Sequence, residues 1–517
     1  MDKKVLRWNF VFQYGYVITN IINSIILLPF YLKRIDAATL GVWLATGNIL
    51  AWMTLIDPGI GEILQQKIAE LRGKNLKIEI GKTIGSGLIA SGFILLISII
   101  AGLIFYSLIG VIINKDVSIY PNLQIALFLS IISTGMSLTS FSMSGINQGL
   151  HNASQVAISS IAANIMFLVI NLTLLILGYG IISIAFANLC RAFFINIYNF
   201  SALKVVLNKE NIKIIFENAH FKKFIRIFSF TSMASIIGGF SNSMDTIVLA
   251  RFIPPFMITI FEINKRPIQL TQSLVGRHSV ALMPTISHAI GKNDRTGIIN
   301  LINKQFKYYS YAALFIALTF CFNYRDVIIA WTGKGKFAGN LIVYLLVANF
   351  FFSLIGYFMS NMGYALGDIK VNSLVNILKG VIIGILYYIS AKHYGIPGII
   401  TVMLMGNILI DFSFFSYRLF KLGYLEISLV KHTLRLWAII VPIVAVVGIG
   451  WNYVVNSLIS PDMHIIKILL NGGVFTMLFF MIVLFVDNVL KHEVVGAIKR
   501  YLPFNLLQKK NEAILIK

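Results

Sequence analysis

The chain has 517 residues, 57% of them apolar and only 12% charged, with a formal net charge of +23. A soluble domain carries about 25% charged residues, and one this large needs a polar surface to cover its core, so the composition argues against a soluble fold. The apolar residues come in blocks of roughly 20, enough to cross about 30 Å of hydrocarbon as helix, and the short alternating segments of a membrane barrel are missing.

Residues 1–9 are basic and polar and run into a long apolar stretch with no small-residue cleavage site, which predicts a first transmembrane helix, not a removed signal. The apolar blocks predict an all-α polytopic membrane protein of about fourteen transmembrane helices. In chain order the spans are 11–31, 39–59, 82–111, 122–145, 156–176, 178–200, 224–250, 255–282, 309–330, 340–362, 371–391, 397–418, 433–454 and 465–488. Only Leu177-Gly178-Tyr179-Gly180 separates the fifth span from the sixth, so a tight turn is expected there. The last two spans carry almost no internal charge and are expected to pack on the outside of the bundle.

An even number of spans puts both termini on one side. With that side cytoplasmic, about 30 Lys and Arg fall inside and about 9 outside, the bias that orients membrane proteins. The inner set includes Lys3, Lys4, Arg7, Lys67, Arg72, Lys74, Lys204, Lys209, Lys222, Lys499 and Arg500. These charges sit in short connections, where they attract anionic lipids as partners. They form no single aromatic-laced face of the kind that binds nucleic acid. The chain has no G-x-x-x-x-G-K-[ST] loop, zinc signature, nucleophile elbow or dinucleotide loop. No enzyme activity, metal or cofactor is therefore expected. Cys190 and Cys321 are expected as separate buried thiols, and His151 as a surface residue of a short loop.

A weak repeat is visible. Lys67-Ile68-Ala69-Glu70-Leu71-Arg72-Gly73-Lys74-Asn75 follows the second span, and Thr285-Ile286-Ser287-His288-Ala289-Ile290-Gly291-Lys292-Asn293 follows the eighth. The Ile and Gly-Lys-Asn positions match at an offset of 218 residues. Six spans separate the copies, so both face the same side, as in parallel-repeat transporters.

The eighth span carries the densest polar set. At 100° per residue, Glu262, Arg266, Gln269, Ser273 and Arg277 fall within roughly 80° of arc and form a stripe about 22 Å long. Charge near the bilayer centre costs at least about 2.5 kcal/mol against lipid, so the stripe is expected to line an aqueous cavity. Arg266 and Arg277 suit the paired oxygens of phosphate, with Lys265 as a nearby point charge. An alternative is that Glu262 pairs with Lys265 or Arg266 and braces the bundle. Lys379 in the eleventh span is a further cationic candidate, with Asn376 one turn before it. Asp245 with Asn242 before it, Glu262, Asp411 and Asp57 are candidates for pairing, or for carrying a proton or sodium ion. Asn349, with Ser353, Tyr357 and Asn361 on the same helix, is a cavity-lining or helix-bridging candidate.

The sequence resembles the polysaccharide transporter branch of the multidrug/oligosaccharidyl-lipid/polysaccharide exporter superfamily, which holds the O-antigen and capsule repeat-unit flippases. The resemblance rests on Gly41-Val42-Trp43, on Leu55-Ile56-Asp57-Pro58-Gly59-Ile60-Gly61 running into Gln65-Gln66-Lys67-Ile68-Ala69-Glu70, and on Met244-Asp245-Thr246-Ile247-Val248-Leu249. Ala281-Leu282-Met283-Pro284 and Gly291-Lys292-Asn293-Asp294 extend it. Phe261-Glu262 departs from the family, which often has a Tyr there.

The resemblance implies two six-helix lobes around a central cavity plus two extra helices. These would be an N-terminal lobe at 1–200, a cytoplasmic linker at 201–223, a C-terminal lobe at 224–418, peripheral helices at 419–488 and a cytoplasmic tail at 489–517. It also implies a bacterial inner-membrane flippase that moves undecaprenyl-pyrophosphate-linked oligosaccharide by alternating access, alongside polysaccharide polymerase machinery. The rival readings are a peptidoglycan-precursor (lipid II) flippase, a multidrug/cation antiporter of the same superfamily, and a non-transporting membrane scaffold.

Overall fold

The structure is a computed structural model. It describes residues 3–51, 60–120, 122–217, 244–291 and 293–487. The architecture is an all-α polytopic membrane fold, and nine helices among the described residues are long and apolar enough to cross a bilayer. The helices are α1 (Lys3–Arg34), α2 (Ala37–Ala51), α3 (Ile60–Gly73), α4 (Lys77–Ile113), α5 (Leu123–Gly149), α6 (Ala153–Ile176) and α7 (Ile181–Glu210). There follow α8 (244–252) and α9 (Pro255–Gly291), α10 (Arg295–Thr332), α11 (Asn340–Ala365), α12 (Ile369–Gly406), a π-helix (Asn407–Phe414), α13 (Phe415–Lys421), α14 (Ile427–Leu458) and α15 (His464–Val486).

The 218-residue repeat extends through the helix boundaries. α2 begins at 37 and α9 at 255, α3 ends at 73 and α9 at 291, and α4 begins at 77 and α10 at 295. The shared Gly-Lys-Asn is a helix stop. Asn75 and Asn293 both take positive φ, 55° and 57°. Asparagine tolerates this left-handed conformation better than most residues. In one copy Leu76 N–H donates to Leu71 O, and in the other Asp294 N–H donates to Ala289 O, each at 3.1 Å. The first set of helices, α1–α7, and the second, α8–α13, thus turn the chain in the same way at equivalent places.

The predicted eleventh and twelfth spans are the arms of a hairpin. Gly395 breaks the helix at φ 57° and ψ −135°, two residues before Pro397. A Cβ on Gly406 would touch Ile383, so the arms run antiparallel in close contact. Of the seventh predicted span, only 244–250 is described. The 489–517 tail and the end of the 201–223 linker lie outside the described residues.

The two sets join at one end of the molecule. There Asp36 caps α2, accepting from the Ala38 and Thr39 amides at 3.0 Å. α2 packs on α9 so closely that a Cβ on Gly41 would lie 1.8 Å from the Pro255 carbonyl oxygen, which makes glycine obligatory there. One buried apolar cluster spans this seam, combining Leu40, Trp43, Ile113 and Leu123 with Ile247, Ala250 and Ile258. The sets also exchange helix-end contacts. Lys115 Nζ donates to Ala250 O at 2.7 Å and Ile253 O at 3.1 Å, while Arg251 donates to Val111 O at 2.8 Å and Ile112 O at 3.3 Å. We call this the sealed end.

α14 and α15 lie against α10. Only 22% of the most apolar stretch of each is buried, as expected of lipid-facing helices. They are not free of charge, however. Lys467 is buried and donates to Asn456 Oδ1 at 2.7 Å. Three more contacts pin α15 to α10: His464 Nδ1 with Asp326 at 2.7 Å, and Lys307 and Tyr311 on Asp487, each at 2.7 Å. Helical spacing of apolar residues hid Lys467, whose partner comes from the neighbouring helix. Cys190 and Cys321 are unpaired but only half-buried, not fully buried as expected; each sits on a helix flank that the bundle covers incompletely. His151 is exposed.

Candidate functional site

One face of α9 organises the candidate site. Residues 255, 259, 262, 266, 269, 273 and 277 lie within about 80° of arc. At the sealed end this face is closed by α2: Pro255 meets Gly41, and Thr259 is buried and donates to Ala37 O at 2.7 Å. Further along, the same face opens. Gln269 is half-buried, and Arg266, Ser273 and Arg277 are exposed. Arg266 stands about 17 Å from the helix start and Arg277 about 33 Å. Arg266 reaches across to the first set, donating to Ser24 Oγ of α1 at 2.9 Å. The Ser273 hydroxyl donates to Leu270 O on its own helix at 2.8 Å. Beyond the sealed end a cationic strip of α9 is therefore left uncovered.

Lys265 is turned away from that strip. Its ammonium is buried and donates to Asp245 Oδ2 at 2.6 Å and Glu262 Oε1 at 2.9 Å. It also donates to Thr246 Oγ1 at 3.3 Å, while the Thr246 hydroxyl donates to Glu262. The Phe261 ring lies 5.0 Å beneath the ammonium. Burying charges costs several kcal/mol per ion unless they are paired and hydrogen-bonded, and this cluster meets both conditions. Glu262 and Lys265 are an i, i+3 pair on α9, visible in sequence. Asp245 joins them only because α8 packs beside α9.

A second polar network sits on the hairpin. Lys379 Nζ donates to Asp411 and, at 3.1 Å, to Asn407 Oδ1. Asn407 Nδ2 donates to Asn349 Oδ1 at 2.7 Å, linking the network to α11. Asn407 and Asp411, four residues apart in the π-helix, share one face and meet Lys379 together. α11 approaches so closely that a Cβ on Gly356 would fall 2.3 Å from the Asp411 Cβ. Asn376 lies apart from this network and donates to the Tyr364 hydroxyl at 3.2 Å.

The structure thus brings Asp245, Glu262 and Lys265 into one cluster and Lys379, Asp411 and Asn349 into another, and leaves Arg266, Ser273 and Arg277 on the open strip. Asp57 and Asn242 lie outside the described residues. Elsewhere on α11, Ser353 and Asn361 bridge to Gln272 and Ser279 of α9, at 3.2 and 2.8 Å. Asn23, Asn164 and Asn171 knit α1 to α6. Asn23 donates to Asn164 O at 2.9 Å, Asn164 to Thr19 at 3.0 Å and Asn171 to the Tyr31 hydroxyl at 2.5 Å. Among the described residues no group of three or more His, Cys, Asp or Glu is arranged to hold a metal ion.

Sequence reasoning missed two structural partners of the site. Trp331 of α10 donates its indole N–H to Ile25 O of α1 at 2.8 Å. The Tyr324 hydroxyl donates to Asn264 O beside the Pro267 position of α9. The signal for Trp331 was Pro29 of α1, which leaves the Ile25 carbonyl without its helical donor; Pro267 orphans the carbonyl of Ile263 and gave no signal for the Tyr324 contact.

No family model and no curated relative matches the chain. Solved structures do match in fold. A lipid II flippase, MurJ, in an inward closed conformation superposes with a TM-score of 0.69 at 16% identity, over 92% of this chain and 98% of that one. A multidrug resistance MATE family transporter of the MOP superfamily, inward-facing, gives 0.64 at 14% identity, over 80% and 96%. The Vibrio cholerae MATE transporter VcmN in its bent form gives 0.54 at 13% identity, over 84% and 97%. These proteins are transporters and flippases, not catalytic enzymes. The chain has the fold that the lipid II flippase MurJ shares with the MATE transporters of the MOP superfamily.

Proposed function

We propose that the chain is a flippase of the bacterial plasma membrane that carries a polyprenyl-pyrophosphate-linked glycan between leaflets by alternating access. The observation that carries this reading is the open strip of α9, where Arg266 and Arg277 stand exposed on the face that α2 covers at the sealed end. A planar guanidinium pair suits pyrophosphate oxygens, and the polyprenyl tail can stay in lipid beside the gap. The sealed end is the outer one and both termini are cytoplasmic. The two helix sets form six-helix lobes, with α14 and α15 as additions, for fourteen crossings in all. The motifs around Asp57 and Met244-Asp245 favour O-antigen or capsule repeat units as cargo, delivered to polysaccharide polymerase machinery.

Lipid II is the second reading, and a specific observation favours it. The lipid II flippase spans 92% of this chain and the MATE structures about 80–84%, an excess comparable in size to α14 and α15. A cationic-drug antiporter is disfavoured because the open strip offers two arginines to its cargo. Reconstitution into liposomes with either a repeat-unit lipid or lipid II decides the cargo. Transport of either lipid at the rate of empty liposomes, together with drug efflux from cells expressing the chain, would reject the flippase reading.

A further inference from the structure

Resting on that reading, we propose that the cargo carries a second anion besides its pyrophosphate, an acidic sugar such as a uronate, and that Arg277 recognises it while Arg266 holds the pyrophosphate. The spacing of the open strip carries the argument. Arg266 and Arg277 are separated by a helical rise of about 16 Å with only about 20° of rotation. Side chains on a helix lean toward its N-terminus, so two arginines on one face keep that separation at their tips. Arg266 is further fixed by Ser24 of α1 at 2.9 Å. The oxygens of one pyrophosphate span only a few ångströms, so the two guanidinium groups can serve it only in succession.

Nothing on α9 compensates Arg277 while the pyrophosphate sits at Arg266. Glu262 is the only acidic residue of α9, and it is turned into the buried cluster with Lys265. Arg277 is exposed, with no carboxylate within salt-bridge distance among the described residues. A pyrophosphate at Arg266 does little for it, because about 16 Å exceeds the screening length of about 8 Å in physiological salt. An arginine without an anion costs free energy when a cavity closes around it. A cargo that presents an anion at each depth removes that cost. Between the arginines lie Gln269, about 4 Å beyond Arg266, and Ser273, about 10 Å beyond it. Both are uncharged: the amide donates and accepts, and the Ser273 hydroxyl, which donates to Leu270 O at 2.8 Å, keeps its lone pairs for an incoming donor. The order along the strip is thus anion site, neutral hydrogen-bonding groups, anion site. It matches pyrophosphate, sugar hydroxyls and a remote sugar carboxylate, whose two oxygens suit the planar guanidinium fork.

The test is a thermodynamic cycle between residue and cargo, run with the full-length chain in liposomes. The probe is a polyprenyl-pyrophosphate oligosaccharide with one uronate remote from the pyrophosphate. Its partner is the same lipid after reduction of the carboxyl to the neutral alcohol. Initial transport rates are compared at low cargo concentration, where they report kcat/KM. Carboxyl reduction should slow the wild type about tenfold, the loss of one charge-assisted contact. It should slow Arg266→Gln by the same factor and Arg277→Gln hardly at all. Equal slowing of Arg277→Gln and the wild type, or no slowing of the wild type, overturns the proposal. Should Arg277→Gln fail to insert, the cargo supplies the second measurement. With the uronate moved to the sugar next to the pyrophosphate, the wild type should transport no faster than with the reduced lipid, and a rate equal to that of the remote uronate overturns the assigned spacing. Transport of none of these lipids above empty liposomes would instead reject the repeat-unit flippase reading on which the proposal rests.

Discussion

The indole Nε1 of Trp331 donates to the carbonyl oxygen of Ile25 at 2.8 Å, and Ile25 is the residue whose helical donor is missing. Pro29 stands four positions on, inside α1, and has no N–H to offer. A tryptophan from the second helix set therefore satisfies a carbonyl that proline orphaned in the first. Arg266 reaches Ser24, the adjacent residue of α1. Together these contacts tie the break in α1 to α9 and α10.

That tie is made between the two sets and must loosen if the sealed end opens. Trp331→Phe keeps the aromatic bulk and removes the donor, at a cost of about 1 kcal/mol, or about fivefold in the ratio of sealed to open forms. Labelling of a cysteine placed behind the seal, by a reagent added on the sealed side, should accelerate by that factor. An unchanged labelling rate would remove Trp331 from the gate.

The reciprocal contacts of Lys115 and Arg251 predict a graded response. Each basic side chain sits at the C-terminal end of a helix in the opposite set, where a cation contributes about 0.3–1 kcal/mol. Lys115→Met and Arg251→Met should each speed labelling from the sealed side a few-fold. Because both act on the same opening, their free energies should add in the double variant. A double variant no faster than either single one would show that the two contacts do not hold the same seam.

Much of this was legible in the sequence. Apolar block length gave the helices, and Gly-Ile-Pro at 395–397 coincides with the hairpin tip. Gly-Lys-Asn marked a repeat whose physical content is one helix stop used twice. The α9 stripe was readable from angular spacing alone. What the spacing missed was the direction of charge. Glu262 and Lys265 turn toward Asp245, because α8 brings a carboxylate to that flank, and this leaves the open strip to the arginines. Lys379 likewise meets Asp411 because the two arms of the hairpin pack together. Such pairings depend on which helices become neighbours, and hydropathy does not encode that.

Lys467 supplies a stability prediction. Its buried ammonium donates to a neutral amide oxygen of Asn456, and no carboxylate lies within salt-bridge distance among the described residues. Replacing a buried charge by an apolar side chain of similar volume is often neutral or stabilising, by about 1–4 kcal/mol. Lys467→Met should therefore melt at or above the wild-type temperature. Asn456→Leu leaves the ammonium without this acceptor and should destabilise by about 1–3 kcal/mol. A clear loss of stability in Lys467→Met would mean that the ammonium holds a partner that matters more than its desolvation.

The two arginines of the open strip should separate when each is changed, because they stand at different depths. Arg277 lies about 33 Å along α9 and Arg266 about 17 Å, so a headgroup entering from the unsealed end meets Arg277 first. Arg277→Ala should raise the concentration of lipid-linked glycan needed for half-maximal transport, with little change in the maximal rate. Arg266 also holds Ser24 of α1, and its loss should lower the maximal rate. Arg266→Lys keeps the charge but loses the planar fork, so it should recover only part of that rate if two phosphate oxygens are gripped at once. Arg266→Ala also removes a positive charge beside Glu262, so each variant must first show wild-type insertion and melting behaviour. Parental transport in well-folded Arg266→Ala and Arg277→Ala proteins would refute the assignment of this strip to substrate, while leaving the fold and its repeat untouched.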